Sequence, residues 1–101
     1  MTVPLVSVVM PNYNNSDFLT ESISSILIQD YPNFELIFVD DNSSDDSLGV
    51  INSYFPQVKV IPHKINKGVN SARNSGILEA AGELIALCDS DDIWKPHKLS
   101  K

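Results

Sequence analysis

The sequence is poor in cysteine, in basic residues, in glycine and in long apolar runs, and each scarcity excludes something. Its single cysteine, Cys88, cannot close an internal disulfide. Its setting in an apolar segment marks it as a small core residue. Seven Lys and Arg stand against thirteen Asp and Glu, a formal charge of −6, which argues against nucleic acid as a partner. An acidic chain can still take up a phosphorylated ligand when a divalent cation bridges the two. No apolar run reaches the ~18–20 residues that a bilayer span needs. Met1-Thr2-Val3-Pro4 lacks the basic start and apolar stretch of a signal peptide, so the cytoplasm is the default location. There is no Gly-x-Gly-x-x-Gly fingerprint and no Walker A loop. The two histidines, His63 and His97, lie far apart and read as surface residues in loops rather than as a metal site. The spacing of Ser71, His63 and the acidic residues suggests no hydrolase triad. The sequons at Asn14 and Asn42 read as chance matches in a chain without an export signal.

What the sequence does have is a regular alternation. Leu5–Met10 is short, apolar and β-branched and reads as a buried strand ended by Pro11. After a turn-like Asn12-Tyr13-Asn14-Asn15, Ser16 or Asp17 is placed to cap a helix running to about Gln29, with Leu19, Ile23, Ile26 and Leu27 on one face. Phe34–Val39 is a second strand. A polar loop, Asp40 to Asp46, leads to a helix ending near Tyr54, with Leu48 and Ile51 inward and Phe55-Pro56 closing it. Val58–Ile61 is a third strand. The loop Asn66–Asn70 enters a helix that reaches about Ala81, its apolar residues including Ala72, Ile77, Leu78 and Ala80, with Gly82 at its C-terminal stop. Glu83–Cys88 is a fourth strand, and Lys95–Leu99 looks like the first turn of another helix.

Continuous apolar strands alternating with helices indicate an α/β, Rossmann-like fold with a mainly parallel sheet and flanking helices. Ligands of such sheets bind outside the carboxyl ends of the strands. Here those ends carry Asn12-Tyr13-Asn14, Asp40-Asp41-Asn42 and Asp89-Ser90-Asp91-Asp92. The last run sets three carboxylates within four residues. Like charges so close repel unless a cation or hydrogen bonds compensate, and carboxylate oxygens suit a hard cation such as Mg2+ or Mn2+. A solvated acidic turn is the competing view. Tyr13 could stack on a base, Asp41 could accept a hydrogen bond from one, and Arg73 could reach the same edge. A turn tyrosine, a helix cap and a solvated helix charge are the respective alternatives.

Four segments, taken in order, strongly resemble the nucleotide-sugar-binding part of family 2 inverting glycosyltransferases with a GT-A fold. They are Val6–Asn14, Glu35–Ser43, Asn66–Gly76 and Asp89–Pro96. The resemblance implies that Pro11, Tyr13 and Asn14 line the base pocket, with Tyr13 stacking. Asp41 would read a uracil-like base edge and Asp40 would support its loop. Lys67, Gly68 and Arg73 would flank the nucleotide. Asp91 would approach the ribose and, with Asp92 and Asp89, the metal-bound diphosphate. Asn42 stands where the family more often has glycine, a mild departure because Asn tolerates a left-handed backbone.

The implied activity is transfer of a sugar from a nucleotide-diphosphate donor, by resemblance a UDP-sugar, to the hydroxyl of a saccharide or lipid-linked acceptor, with inversion. Acceptors of that kind leave membrane association of the whole protein open. The family's general base lies downstream of the acidic run, so residues 1–101 are expected to be an incomplete, donor-binding portion that is inactive alone, with its base beyond Lys101. The alternative is a non-catalytic nucleotide-binding or assembly module, forming homo-oligomers through apolar surface left uncovered. A phosphoacceptor receiver expects its acidic pair after strand one. A nucleotidyltransferase expects a glycine-rich basic loop there. Neither is present.

Overall fold

The apolar runs pair side by side. The computed structural model describes residues 3–54, 57–96 and 98–99. Within them the order is β1 (Val6–Asn12), α1 (Ser16–Leu27), β2 (Phe34–Asp40), α2 (Ser47–Asn52), β3 (Val58–Pro62), α3 (Val69–Glu79) and β4 (Leu84–Leu87). The strands form one parallel sheet in the order β3-β2-β1-β4, the α/β layering anticipated from the sequence. No helix among the described residues is long and apolar enough to cross a membrane.

β1 lies between two neighbours and is buried along its whole length. Successive side chains of a strand point to opposite faces. Val6, Val8 and Met10 of β1 and Leu36 and Phe38 of β2 therefore pack with Leu19, Ile23 and Ile26 of α1 and Ile51 of α2. On the other face Ile37 and Val39 meet Ala72 of α3. α3 approaches closely because it presents small residues. A Cβ on Gly76 would lie 2.3 Å from Val9 Cγ1 and 3.3 Å from Val39 Cγ2. Cys88 is buried, and that burial, with Asp92 and Asp89 nearby, pushes its thiol up to about 12. It is a neutral core sulfur.

Several local expectations change. Pro11 does not end β1 but sits inside it, opposite Val39. Val9 C=O accepts from Cys88 N–H, so odd-numbered residues of β1 face β4, whose pairing stops at Val9↔Leu87. The N–H that proline lacks would have pointed past the end of that ladder. Leu48 is exposed rather than inward, since the short α2 buries Ser47 and Ile51 instead. Ile77 and Leu78 are exposed as well, Leu78 to 85%, because the sheet-facing stripe of α3 is Ala72 and Gly76.

Gly82 ends no helix: α3 stops at Ala80, which is extended (φ −68°, ψ 132°). Gly82 is instead pressed against β1, where a Cβ would come within 2.7 Å of Leu5 O and Ser7 N. Among the described residues β4 pairs only with β1, at the edge of the sheet, and Leu84, Ile85 and Leu87 are exposed rather than the interior of a buried strand. The described residues of 95–99 form turns and no helix. His97, Phe55 and Pro56 lie outside the described residues.

Candidate functional site

Parallel register gathers the polar loops at one edge. Asn12 pairs with Asp40, and Asp40 with Pro62, so the residues after β1, β2 and β3 begin side by side. Asp40 is buried and accepts three hydrogen bonds, from Asn12 Nδ2 (2.9 Å), Ser43 N–H (2.9 Å) and Ser43 Oγ (2.7 Å). That arrangement closes the loop after β2 on itself and onto β1. Asn14 ties the same two loops together. Its N–H donates to Ser43 Oγ at 3.0 Å, and its amide oxygen accepts from Ser44 N–H at 2.8 Å and Asp45 N–H at 3.3 Å. Asn14 and Asn42 both adopt left-handed backbone (φ 55° and 60°), which asparagine tolerates.

The expected caps at Ser16 or Asp17 are absent; α1 has no side-chain cap from its own N-terminal residues. Asp45 supplies one from across the site. Its Oδ2 accepts from Ser16 N–H (3.0 Å), while Oδ1 accepts from Ser47 N–H (3.0 Å) and from the Ser47 hydroxyl. One carboxylate therefore starts both α1 and α2. Partial desolvation alone would raise its pKa, yet the bonds from Ser47 and Ser16 outweigh that and hold it below the usual carboxylate value.

Asp41 is buried and accepts from three donors: His63 Nδ1 (2.8 Å) and Lys67 N–H (2.9 Å) at Oδ1, and Gly68 N–H (2.8 Å) at Oδ2. Burial pulls its pKa up, and these hydrogen bonds, His63 first, bring the net shift below the ordinary value. The bond to Gly68 needs that residue's positive φ of 95°, which glycine adopts without strain. His63 is therefore not a surface residue. Its side chain is 7% exposed, and its Nε2 lies 2.7 Å from Ser75 Oγ on α3.

The acidic run is docked onto α1. Asn15 Nδ2 donates to Ser90 Oγ (2.8 Å), Ser22 Oγ to Ser90 C=O (2.7 Å), and Trp94 N–H to Ser25 Oγ (3.0 Å). Gln29 Nε2 donates to Lys95 C=O at 2.6 Å, and Gln29 Oε1 accepts from Leu99 N–H at 3.0 Å. Asp89 is half-buried and pairs with Arg73 at 3.2 Å, while Asp91 and Asp92 are exposed. Each of Asp89, Asp91 and Asp92 offers a carboxylate oxygen, and these oxygens lie within 4.8 Å of one another. Such an all-oxygen donor set fits Mg2+ or Mn2+.

A cavity of about 410 Å³ opens between these parts. Of the residues expected at the site, Pro11, Tyr13, Asp41, Gly68, Arg73, Asp89 and Asp91 line it. Asn14, Asp40, Lys67 and Asp92 do not; the first two brace the loops, and the Lys67 N–H holds Asp41. Sequence reasoning placed Asn12 and Ser90 at this edge without a role and missed Asn15; all three line the cavity. It also missed the place of His63 beside Asp41 and the cap that Asp45 gives α1. The signal for His63 was its place one residue past β3, where parallel register sets it beside Asp41.

The family profile described as Glycosyl transferase family 2 matches residues 7–101. The UDP-Glc:alpha-D-GlcNAc-diphosphoundecaprenol beta-1,3-glucosyltransferase WfgD of Escherichia coli is 43% identical over 96 residues, covering 94% of this chain and 38% of that protein. The crystal structure of S. aureus TarS 1-349 in complex with UDP superposes with a TM-score of 0.89 at 34% identity, over 94% of this chain and 30% of that one. The mannosyltransferase PcManGT from Pyrobaculum calidifontis, in complex with GDP-Man and Mn2+, gives a TM-score of 0.83 at 28% identity, over 90% of this chain and 28% of that one. This chain spans between 31% and 42% of the length of four curated relatives that it matches.

Proposed function

We propose that this chain, which belongs to glycosyl transferase family 2, forms the donor side of a metal-assisted, inverting transfer of a sugar from a UDP-sugar to an acceptor hydroxyl. One observation carries the reading: a single cavity is lined by an aromatic side chain, Tyr13, a fixed carboxylate, Asp41, an arginine, Arg73, and Asp89 and Asp91 of a cation-competent acidic run. The uracil stacks on Tyr13 and donates an N–H to Asp41. The ribose lies toward Asp91 and the diphosphate toward Arg73. Asp89, Asp91 and Asp92 would hold Mg2+ or Mn2+, and the chemistry such an ion would supply is Lewis-acid stabilisation of the departing diphosphate.

The protein's own groups orient and neutralise. Arg73 presents a charged fork able to leave Asp89 for phosphate oxygens. The braces from Ser22, Ser25 and Gln29 keep the acidic run in place before the donor arrives. None of these carboxylates is assigned as the general base. Asp41 is nearly saturated with donors, and Asp89 to Asp92 serve the cation. The base belongs to the acceptor side, outside this cavity. UDP in the TarS complex, UDP-Glc and a diphosphoundecaprenol sugar in the name of WfgD, and Mn2+ in the PcManGT complex support this choice of donor, lipid-linked acceptor and metal class.

Titration calorimetry tests the reading. UDP should bind in the presence of Mg2+ or Mn2+, and weaken about tenfold or more with a chelator or with Asp92→Ala. Equal affinity with and without the chelator counts against it.

A further inference from the structure

Asp41, His63 and Ser75 form a hydrogen-bonded row with the spacing of an acid, a base and a hydroxyl nucleophile: 2.8 Å from Asp41 Oδ1 to His63 Nδ1 and 2.7 Å from His63 Nε2 to Ser75 Oγ. It is not placed for hydrolysis, because Asp41 lines the cavity while His63 and Ser75 do not. The row points the other way, with its acid end toward the ligand and its serine behind.

A carboxylate has about four acceptor positions. Three of those on Asp41 are filled, two at Oδ1 and one at Oδ2, which leaves one at Oδ2. Two of the three donors are main-chain groups of the loop before α3. His63 is the only side-chain donor to Asp41 among the described residues. As a neutral imidazole it donates from Nδ1 in the tautomer that carries its proton there, and in that tautomer Nε2 is free to accept from the Ser75 hydroxyl 2.7 Å away. Ser75 stands on α3, two positions after Arg73.

We propose that His63, keyed by Ser75, is a positioning residue that aims the one free acceptor of Asp41 at a nucleobase N–H, and thereby sets the preference for uracil over cytosine. This rests on the donor-site reading above. Uracil offers an N–H donor at ring position three; cytosine offers a lone pair there, which a fixed carboxylate repels. A site built around one donor rejects an analogue lacking it far more strongly than packing alone would allow. If the carboxylate rotates, its bare oxygens no longer discriminate.

The test is the ratio of UDP to CDP affinity, measured by calorimetry with metal present, in wild type, His63→Phe, His63→Gln, His63→Asn, Ser75→Ala and Ser75→Thr. An asparagine amide nitrogen falls near the position of Nδ1, and a glutamine amide nitrogen near that of Nε2. His63→Asn should therefore keep the preference for UDP, while His63→Phe and His63→Gln should lose it by about tenfold or more. Ser75→Ala should lower it and Ser75→Thr restore it. A purely packing role would instead weaken both nucleotides alike.

An unchanged ratio in folded His63→Gln and Ser75→Ala overturns the inference alone. If His63→Phe does not fold, the Asn and Gln pair still decides. A wild-type chain that binds neither nucleotide, or binds them equally, overturns the donor-site reading and this inference with it.

Discussion

Replacing Asp45 tests the claim that one carboxylate starts two helices. Asp45→Ala removes the acceptor for Ser16 N–H at α1 and for both Ser47 N–H and Ser47 hydroxyl at α2. Losing one N-cap costs about 0.5–2 kcal/mol. Asp45 is exposed, so water satisfies part of what is freed at Ser16, but Ser47 is fully buried. A buried polar group left without its partner costs about 1–3 kcal/mol. We expect a loss of roughly 2–3 kcal/mol, which in a domain of this size lowers Tm by about 10–20 °C. Asp45→Asn retains one acceptor oxygen and should recover about half.

The pH dependence has a defined sign. The folded-state pKa of Asp45 lies below its ordinary value of 3.8, so the unfolded chain takes up the proton first and stability rises with pH across that window. The gap between wild type and Asp45→Ala should be full above pH 3.8 and close as pH falls through the lower, folded-state value. Asp41 adds a contribution of the same direction. Thermal melts and urea titrations from neutral to acid pH measure this. A gap under about 0.5 kcal/mol at neutral pH, or one that does not close in acid, would refute the shared-cap reasoning.

Two further outcomes follow from the packing. Gly76→Val pushes a branched side chain into the 2.3 Å approach to Val9 Cγ1, and the overpacking should cost about 2 kcal/mol or more in urea titrations despite the helix-propensity gain over glycine; a neutral effect would mean that α3 is free to lift from the sheet. Ser22→Ala strips the buried Ser90 carbonyl of its 2.7 Å donor, so stability should fall by about 1–2 kcal/mol and metal affinity should drop even where the fold is kept; unchanged Mn2+ binding would show that α1 does not hold the acidic run.

The strands were legible because β-branched runs such as Val6–Met10 and Leu36–Val39 bury both faces and leave no helical period to read. Their loops were legible as a shared edge because parallel strands all end on the same side. What sequence could not supply was lateral order. Until β3 was known to flank β2, and α3 to lie over β1 and β2, nothing set His63 beside Asp41 or Ser75 beside His63. The cap that Asp45 gives α1 was missed for a similar reason, since the Ser16 N–H is remote in sequence and close only because Asn14 knots the two loops. The inward face failed at Leu48, and the apolar residues Ile77 and Leu78 gave no guide to the packed side of α3, for a different reason. α2 is short, and the inward stripe of α3 is alanine and glycine, so hydrophobicity pointed away from the packed side. Gly82 read as a helix stop because local rules describe a chain end, whereas its constraint comes from β1.

The central position of β1 also bears on how the protein is made. This strand is translated before the other three of the sheet, and its second edge is covered only by β4, the last of them. During that interval Val6–Val9 offers an unpaired, apolar, β-branched ribbon, the kind of segment that recruits other nascent chains. Covering that edge depends on pairing β1 with β4, a slow, long-range closure. A pause in synthesis between β3 and β4 should therefore hold this strand half-paired and lower the yield, and co-translational aggregates should carry chains that stop short of Leu84.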